Sequence, residues 1–312
     1  MTDRPVRIAT RGSKLALYQA NKVKEELQKC FPAKTFEIRV IKTQGDKILD
    51  VALSKIGDKG LFTKELENSL LQQETDLAVH SLKDMPTELP EGLMLGGILE
   101  RGEVRDALVS LNGKKLSQLD KSDIVATSSL RRRAQLLRFN PGMNIVDIRG
   151  NVDTRLQKMA DGYCTAVVMA AAGLQRLGYG DRITEILDPS VIVPAVSQGA
   201  IAIEIRNNDA SIQSLVSAIN HEQTAVAVTA ERTFMRMLEG GCQIPVGCYS
   251  QVDHETFRIT GFVSNPDGTK AIKDKAEGPV KVAESIAISL ANHFLEMGAL
   301  EMIRNIRTLN SL

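Results

Sequence analysis

The chain has 312 residues, of which 43% are hydrophobic and 25% charged, a balance typical of a soluble globular protein. Because this chain is longer than the roughly 250–300 residues that a single hydrophobic core supports, two or three domains are expected. The formal net charge of +1 excludes a global field attracting nucleic acid or a membrane surface, and eight Phe, four Tyr and no Trp offer few platforms for stacking bases.

The N-terminal residues have no apolar run after their charges, so no signal peptide is expected. No segment reaches the roughly 18 apolar residues that span a bilayer. Four widely spread cysteines without a C-x-x-C pair, and only four histidines, argue against a metal site. Reduced thiols fit a cytoplasmic protein. Cys30, Cys164 and Cys248 are predicted to be structural.

The first residues alternate between strand and helix patterns. Residues 6–11 form a strand that breaks at Gly12, residues 15–27 carry apolar side chains at helical spacing, and residues 36–41 alternate as a second strand. Such units favour a parallel sheet that binds ligands at the carboxyl ends of its strands. Arg11 and Ser13 lie at such an end. Ser13 caps the helix, binds an anion at the helix start, or does both.

Two features of the next segment bear on function. Residues 44–60 combine glycines with lysines, which indicates a mobile loop that is either a solvated connector or a positively charged lid; an amphipathic helix follows over 61–71. A buried strand over 77–80 then delivers Ser81, Lys83 and Asp84 to the same sheet edge as Arg11. Asp84 is either a turn residue or a group for charge stabilisation or proton transfer.

A second α/β unit follows a charged stretch at 100–105. Its predicted strands are 124–126, 145–148 and 166–170, and its first helix is 130–139. The chain crosses again at 193–199 before a strand over 200–205. Two crossings predict that this domain is inserted into the first, with a ligand cleft between them, as in periplasmic binding proteins.

Residues 127–155 contain six arginines, two aspartates and no lysine, a net charge of +4 in a nearly neutral chain. Guanidinium groups bind carboxylates and phosphates bidentately. Three consecutive arginines on a helix point about 100° apart, so they cannot all face one ligand. With few aromatic residues nearby, the cluster favours a small polyanion over nucleic acid.

The last part of the chain changes period. A long amphipathic helix over 222–238 leads to Gly240, Gly241 and Cys242, and alternating strands over 246–252, 256–264 and 269–276 precede a helix over 280–297. The predicted fold class is α/β, with two periplasmic-binding-protein-like α/β domains, the second inserted into the first, plus a C-terminal α+β domain with an antiparallel sheet. The first predicted domain comprises residues 1–99 and 200–219, the second comprises residues 100–199, and the third comprises residues 220–312. Taken alone, Cys242 is a nucleophile, a covalent anchor or a core residue.

Four separated motifs, 78–86, 127–133, 148–155 and 238–247, resemble the hydroxymethylbilane synthase (porphobilinogen deaminase) family, and the resemblance extends from about residue 6 to at least residue 298. It implies a transferase of porphyrin and haem biosynthesis that condenses four porphobilinogen molecules head to tail on a covalent dipyrromethane cofactor, with release of ammonia and, by hydrolysis, of hydroxymethylbilane.

The resemblance also implies roles for residues. Cys242 would hold the cofactor through a thioether, and Asp84 would stabilise positive charge on pyrrole nitrogens and assist deamination. The other cofactor-binding residues would be Ser81, Lys83, Thr127, Ser128, Ser129, Arg131, Arg132, Gly150 and Arg155. The substrate-binding residues would be Arg11, Ser13, Arg149 and Arg155.

Two further expectations complete the sequence-based interpretation. The partner is the small substrate porphobilinogen, with no nucleic acid, no membrane and no metal, and the chain is expected to act as a cytoplasmic monomer. The alternative from another class is a non-catalytic two-lobed protein that binds a polyanion. The absence of a signal peptide and the domain that carries Cys242 argue against this alternative.

Overall fold

The computed structural model describes residues 4–47, 60–238 and 244–310. The described residues form two compact units, one containing 4–47, 60–102 and 199–225, the other containing 103–198 and 226–310. The chain therefore leaves the first unit after residue 102 and returns to it after residue 198. Both points fall within the crossings predicted from the sequence.

The first unit is built on a five-stranded sheet of order β2-β1-β3-β10-β4. Its strands, numbered along the chain, are β1 (Val6–Thr10), β2 (Phe36–Val40), β3 (Leu77–Ser81), β4 (Leu93–Ile98) and β10 (Ile201–Arg206), and its helices are α1 (Lys14–Cys30), α2 (Gln44–Lys47), α3 (Lys64–Leu71) and α7 (Ala210–Ser217). Strand β1 is parallel to β2 and β3, whereas β10 is antiparallel to β3 and β4. Helix α1 buries Ala20, Val23 and Leu27 on one face, as their spacing predicts.

The second unit contains a sheet of order β7-β6-β8-β5-β9. Its elements are β5 (Asp106–Ser110), β6 (Ile124–Ala126), β7 (Asn144–Val146), β8 (Ala166–Ala170), β9 (Glu185–Ile186), α4 (Leu130–Phe139), α5 (Val152–Ala160) and α6 (Ala171–Arg176). Strands β6, β7 and β8 are parallel, and β5 is antiparallel to β8 and β9. In each sheet the antiparallel strand is the one that follows a crossing, so the two sheets share one topology.

The same unit holds a three-stranded antiparallel sheet of order β11-β12-β13. Its strands are β11 (Val246–Asp253), β12 (Thr256–Ser264) and β13 (Ala271–Pro279), and the helices nearby in sequence are α8 (Glu222–Met237), α9 (Ala283–Glu296) and α10 (Ala299–Asn310). Phe234 and Phe294 pack edge to face at the centre of a hydrophobic cluster, with ring centroids 5.1 Å apart. The predicted fold class is confirmed: two five-stranded α/β sheets, the second inserted in the chain between strands of the first, precede this antiparallel sheet.

Several predicted details differ from the structure. Sequence patterns did not reveal β4, β5 or α10, and the helix predicted from residue 61 begins at Lys64. Residues 44–47 form a helical turn, while the rest of the predicted mobile loop, 48–59, lies outside the described residues. Gly96 and Gly97 are atypical of a strand and hid β4 from the sequence-based prediction, yet the close packing around them requires glycine. A Cβ on Gly96 would lie 2.6 Å from the Ile205 side chain, and one on Gly97 would lie 2.9 Å from the Val216 carbonyl oxygen.

The predicted three-domain division stays a prediction. Contacts among the described residues group the antiparallel sheet with the inserted sheet. One link between them is Glu231 of α8, a fully buried residue that accepts from the amides of Ser197 and Ser250 at 2.7 Å each. The Cys248 amide also donates to the Pro194 carbonyl. These bonds attach the segment before the second crossing to β11 and α8.

A buried carboxylate holds the amino-terminal edge of the first sheet. Asp76, whose side chain is 1% exposed, accepts from the Arg4 guanidinium at 2.9 Å and from the Arg7 backbone amide at 2.8 Å. Burial alone would raise the pKa of Asp76, but hydrogen bonds from Arg4 and Arg7 outweigh burial and hold this pKa below its usual range. Asp76 therefore stabilises the fold in its ionised form.

We expect Asp76→Asn to lower the free energy of unfolding at pH 7 by about 2–4 kcal/mol, because a neutral amide in this buried position loses the charge-assisted hydrogen bonds from Arg4 and Arg7. The folded-state pKa lies below the unfolded-state value, so the contribution is complete above roughly pH 4 and is lost as pH falls below that. Urea unfolding at pH 7 and pH 3.5 measures both effects. Glu37→Gln, at an exposed ion pair with Arg39, is the control and should cost under about 0.5 kcal/mol. Equal losses in the two variants would contradict the assignment.

Candidate active site

A pocket of about 70 Å³ lies in the first unit, where β1 and β3 end. Its lining residues are Arg11, Ser13, Leu15, Ala16, Gln19, Phe62, Thr63, Val79, His80, Ser81 and Asp84. Of the five polar residues predicted to converge at this sheet edge, Arg11, Ser13, Ser81 and Asp84 line the pocket, whereas Lys83 is not among its lining residues. It forms because the carboxyl ends of neighbouring parallel strands meet at one edge of a sheet.

Aromatic and amide side chains organise the pocket wall. The guanidinium carbon of Arg11 lies 4.1 Å from the centroid of the Phe62 ring, a cation–π contact that orients the charge. Ser13 caps α1 by accepting from the Ala16 amide at 3.3 Å. Gln19 and the Ser81 hydroxyl are joined by contacts of 2.8 and 3.2 Å. Ser13 is therefore a helix cap, and it also faces the pocket.

Asp84 ends a short 3-10 turn, Leu82–Asp84, that follows β3. Leu82 is fully buried and its amide donates to the Ala200 carbonyl, so the turn is attached to the residue that precedes β10. The Met85 amide closes the turn onto the Leu82 carbonyl at 3.2 Å. The side chain of Asp84 is exposed beside a half-buried Lys83. A carboxylate fixed on a rigid turn at the wall of a pocket can meet a cationic group without reorganising.

In the second unit, hydroxyl groups gather between β6 and α4. The Thr127 amide donates to the Val146 carbonyl at 2.9 Å, and the Ser128 hydroxyl bridges both the amide and the carbonyl of Ile148. Ser129 caps α4 through the Arg132 amide. These bonds hold a helix start, whose free amides and positive dipole end attract anions.

Asp106 sits fully buried between two arginines of α4. Its Oδ2 accepts from Arg131 Nη1 at 2.7 Å and its Oδ1 from Arg132 Nη2 at 2.7 Å, while Gln198 Nε2 reaches Oδ1 at 3.0 Å. Burial alone would raise the pKa of Asp106, but the charges of both arginines outweigh it and hold this pKa well below its usual range. Burial, in turn, lowers the pKa of Arg131. Two guanidinium groups share one carboxylate, so the cluster of Asp106, Arg131 and Arg132 keeps an excess positive charge.

The third arginine of the run, Arg133, donates to the Ile145 carbonyl at 3.3 Å and does not share Asp106 among the described contacts. Gly150 has φ +115°, and a Cβ there would lie 2.6 Å from Thr154. This turn places Arg149, half-buried, just before α5, whose Arg155 Nε donates to the Gly150 carbonyl at 2.8 Å. Arg149 and Arg155 thus lie at the two sides of one glycine turn.

Two of the three described cysteines are buried, as expected for structural residues. Cys164 and Cys248 are buried, and burial raises the pKa of the Cys164 thiol to about 11. Cys30 is exposed at the end of α1. Cys242, the predicted covalent anchor, lies outside the described residues. No three His, Cys, Asp or Glu side chains converge as metal ligands among the described residues, and no helix described here is long and apolar enough to cross a membrane.

Sequence patterns missed four residues that shape these sites: Gln19, Phe62, His80 and Asp106. Gln19 occupies a buried position of α1, and a polar residue on an apolar helix face could have signalled it. His80 follows three apolar residues within β3, which is a similar signal. Asp106 lies in a charged stretch where nothing distinguishes it from its neighbours. Its partners are distant in sequence, so only the fold brings them together.

Comparisons with known proteins agree with the geometry. A family model described as "Porphobilinogen deaminase, dipyromethane cofactor binding domain" matches residues 6–214, and one described as "Porphobilinogen deaminase, C-terminal domain" matches residues 225–296. Among similar relatives, Porphobilinogen deaminase of Geobacter metallireducens is 47% identical over 306 residues, covering 98% of this chain and 96% of the relative. That of Nostoc sp. is 48% identical over 306 residues, covering 97% and 95%.

Solved structures are more distant. A TRAP periplasmic solute binding protein from Desulfovibrio salexigens aligns with a TM-score of 0.44 at 12% identity, covering 75% of this chain and 76% of that protein. We infer nothing about function from this likeness. The two family models and the relatives, which span nearly the whole chain, place it directly: the chain belongs to the porphobilinogen deaminase family.

Proposed function

We propose that this chain is the transferase that condenses four porphobilinogen molecules head to tail, releasing ammonia and, after hydrolysis, hydroxymethylbilane, in tetrapyrrole biosynthesis. Membership of the porphobilinogen deaminase family supports the assignment. The observation that carries it is the pocket of the first unit. There a carboxylate, Asp84, and a cation, Arg11, share one small cavity with the hydroxyl groups of Ser13 and Ser81.

The donor set of the second unit fits the dipyrromethane cofactor named by the matched family model. The carboxylates of such a group require guanidinium and hydroxyl donors, and Arg131 and Arg132 share only one buried carboxylate, Asp106. When bound, dipyrromethane supplies the pyrrole end to which each new substrate unit is joined. We assign its tether to Cys242 as a thioether. We assign its other contacts to Ser81, Lys83, Thr127, Ser128, Ser129, Arg131, Arg132, Gly150 and Arg155.

Asp84 is the proposed catalytic residue. Loss of ammonia from the aminomethyl group of porphobilinogen leaves positive charge on the pyrrole ring. A fixed carboxylate stabilises this charge, and it does so more strongly when bound substrate displaces water from the exposed side chain. The rigid turn at Leu82 keeps the carboxylate in place while the reaction proceeds. Asp84 therefore acts by electrostatics and by assisting the departure of the amine.

Arg11, Ser13, Arg149 and Arg155 are the proposed substrate-binding residues. Each porphobilinogen carries two carboxylates, so the growing product accumulates negative charge that guanidinium groups offset. The Phe62 ring fixes the direction of the Arg11 guanidinium, which reduces the entropy lost when a carboxylate binds. The proposal extends to a cytoplasmic protein that acts as a monomer.

The first test is the mass of the intact protein under denaturing conditions. The bare chain has a mass of 34.1 kDa. We expect freshly purified active protein to exceed it by two porphobilinogen molecules less two ammonia molecules, because each attached unit loses its amine. Cys242→Ser should show the bare mass and little activity. Cys30→Ser, at an exposed cysteine, should keep both the added mass and the activity of the wild type. A bare mass in purified wild-type protein would refute the tether if that protein were active, and would favour the non-catalytic polyanion-binding alternative if it were inactive.

The second test separates the chemistry of Asp84 from binding. We expect Asp84→Asn to keep the added mass and a near-normal KM, while kcat falls by about 10²–10⁴-fold because a neutral amide cannot stabilise developing charge. Asp84→Glu should recover part of the lost kcat. Steady-state kinetics with porphobilinogen supplies both constants. A kcat within twofold of wild type in Asp84→Asn would remove Asp84 from the mechanism.

The third test concerns carboxylate binding. We expect Arg149→Gln to weaken elongation about 10- to 100-fold in kcat/KM, since a hydrogen bond to a charged group contributes about 1.5–3 kcal/mol. Arg138→Gln, at an exposed position of α4, is the matched control and should behave as wild type. Quantifying elongation intermediates by mass measures the step affected. Equal behaviour of the two variants would make Arg149 a structural residue.

A further inference from the structure

A group of buried ionisable side chains lies against the pocket of the first unit, and the reaction as described so far does not use it. His80, Glu204 and Glu67 are 6%, 0% and 6% exposed. His80 Nε2 lies 3.0 Å from Glu204 Oε2. We call these three residues the buried triad.

The buried triad occupies a layer that is otherwise apolar. Strands β3 and β10 are antiparallel neighbours that pair Ala202 with His80 and Glu204 with Ala78, so His80 and Glu204 share one face of the sheet. On that face Ala78 packs with Leu66 and Leu70 of α3. Glu67 comes from the same helix. Burying a carboxylate or an imidazole in such a layer costs free energy that apolar residues would avoid.

Hydrogen bonding only partly offsets this cost. Oε1 of Glu204 and Oε1 of Glu67 are buried without a hydrogen-bond partner among the described residues. Burial raises the pKa of Glu67, and the nearby charge of Glu204 raises it further. Among the described residues, the other charged groups near the triad are Glu65 of α3, whose charge acts on Glu67, and Arg11 and Asp84, which line the adjoining pocket. The triad therefore places three ionisable side chains in a layer where packing alone does not require them.

The triad reaches the pocket at one point. His80 lines the same cavity as Asp84, Arg11 and Ser81, while its Nε2 is held by Glu204 behind it. A ring with one nitrogen fixed by a carboxylate and a position at the wall of a cavity is the arrangement by which proteins orient an imidazole for proton transfer. Thr63, which precedes α3 and is buried, also lines this cavity.

We propose that His80, oriented by Glu204 and backed by Glu67, holds a proton for the condensation carried out in the pocket. The inference rests on the proposed function. In each cycle the aminomethyl C–N bond breaks, a C–C bond forms between two pyrrole rings, and the attacked ring carbon loses its proton. The departing amine gains one proton and leaves as ammonia. A group that takes the carbon-bound proton and returns it to the next amine balances the cycle without any other reactant.

Three variants test the proposal in the cofactor-loaded enzyme. We expect His80→Gln, which can still hydrogen-bond Glu204, to keep the added mass and KM while kcat falls about 10²-fold and one limb of the pH–rate profile disappears. Glu204→Gln should lower kcat less than His80→Gln does and should move that limb to lower pH, because a neutral amide orients the ring but no longer stabilises the imidazolium. His221→Gln, where the ring contacts Thr224 at 2.8 Å in the same unit, is the matched control and should leave the profile unchanged.

Thermal unfolding of each variant gives the fraction of protein that is folded at the assay temperature, so a loss of catalysis can be separated from a loss of folded protein. A loss of kcat with an unaltered pH profile, or a loss that follows only the folded fraction, would overturn the proposal and make the triad structural. Wild-type kcat in folded His80→Gln would overturn it as well. Failure of the wild-type chain to consume porphobilinogen would instead refute the proposed function, so the two failures are distinguishable.

Discussion

The carboxylate of Asp106 organises the arginine-rich part of the second unit. It is fully buried at the start of β5 and is contacted by Arg131, Arg132 and Gln198. Without it, two buried guanidinium groups would repel each other at the start of one helix, at a cost of several kcal/mol. With it, both side chains are fixed and one excess positive charge remains. For the proposed binding of carboxylates, both guanidinium groups are therefore positioned before any ligand arrives, which lowers the entropy lost on binding.

The position of Asp106 follows from the topology. Strand β5 is the first element after the crossing at residue 102 and runs antiparallel between β8 and β9. Its first residue thus lies beside the end of β8, near the start of α4. Gln198, whose side chain also reaches Asp106, is the last residue before the chain returns to the first unit. Both ends of the inserted segment therefore meet at the carboxylate that orders the arginines.

Sequence patterns predicted the elements that follow simple periodicity, such as α1, β3, α4 and the three antiparallel strands. They also predicted which polar residues follow β1 and β3, because parallel strands deliver their ends to one edge. They failed where distant residues decide the local structure. Strand β4 depends on contacts of Gly96 and Gly97 with Ile205 and Val216, which no local pattern records. For the same reason, the pairing of Arg131 and Arg132 with Asp106 emerged only from the fold.

The chemistry expected of Cys242 follows from where α8 ends. The described helix ends at Met237, so Cys242 comes after a helix C-terminus, whereas helix dipoles lower the pKa of a thiol at an N-terminus. The helix thus gives no reason to expect an activated thiolate. A thiol that reacts once with a strongly electrophilic cation does not need activation, because the electrophile supplies the driving force. A group that reacted in every cycle would need it. In the proposed mechanism, the chemistry repeated in every cycle therefore belongs to the pocket of Asp84, and the Cys242 thiol serves as an anchor.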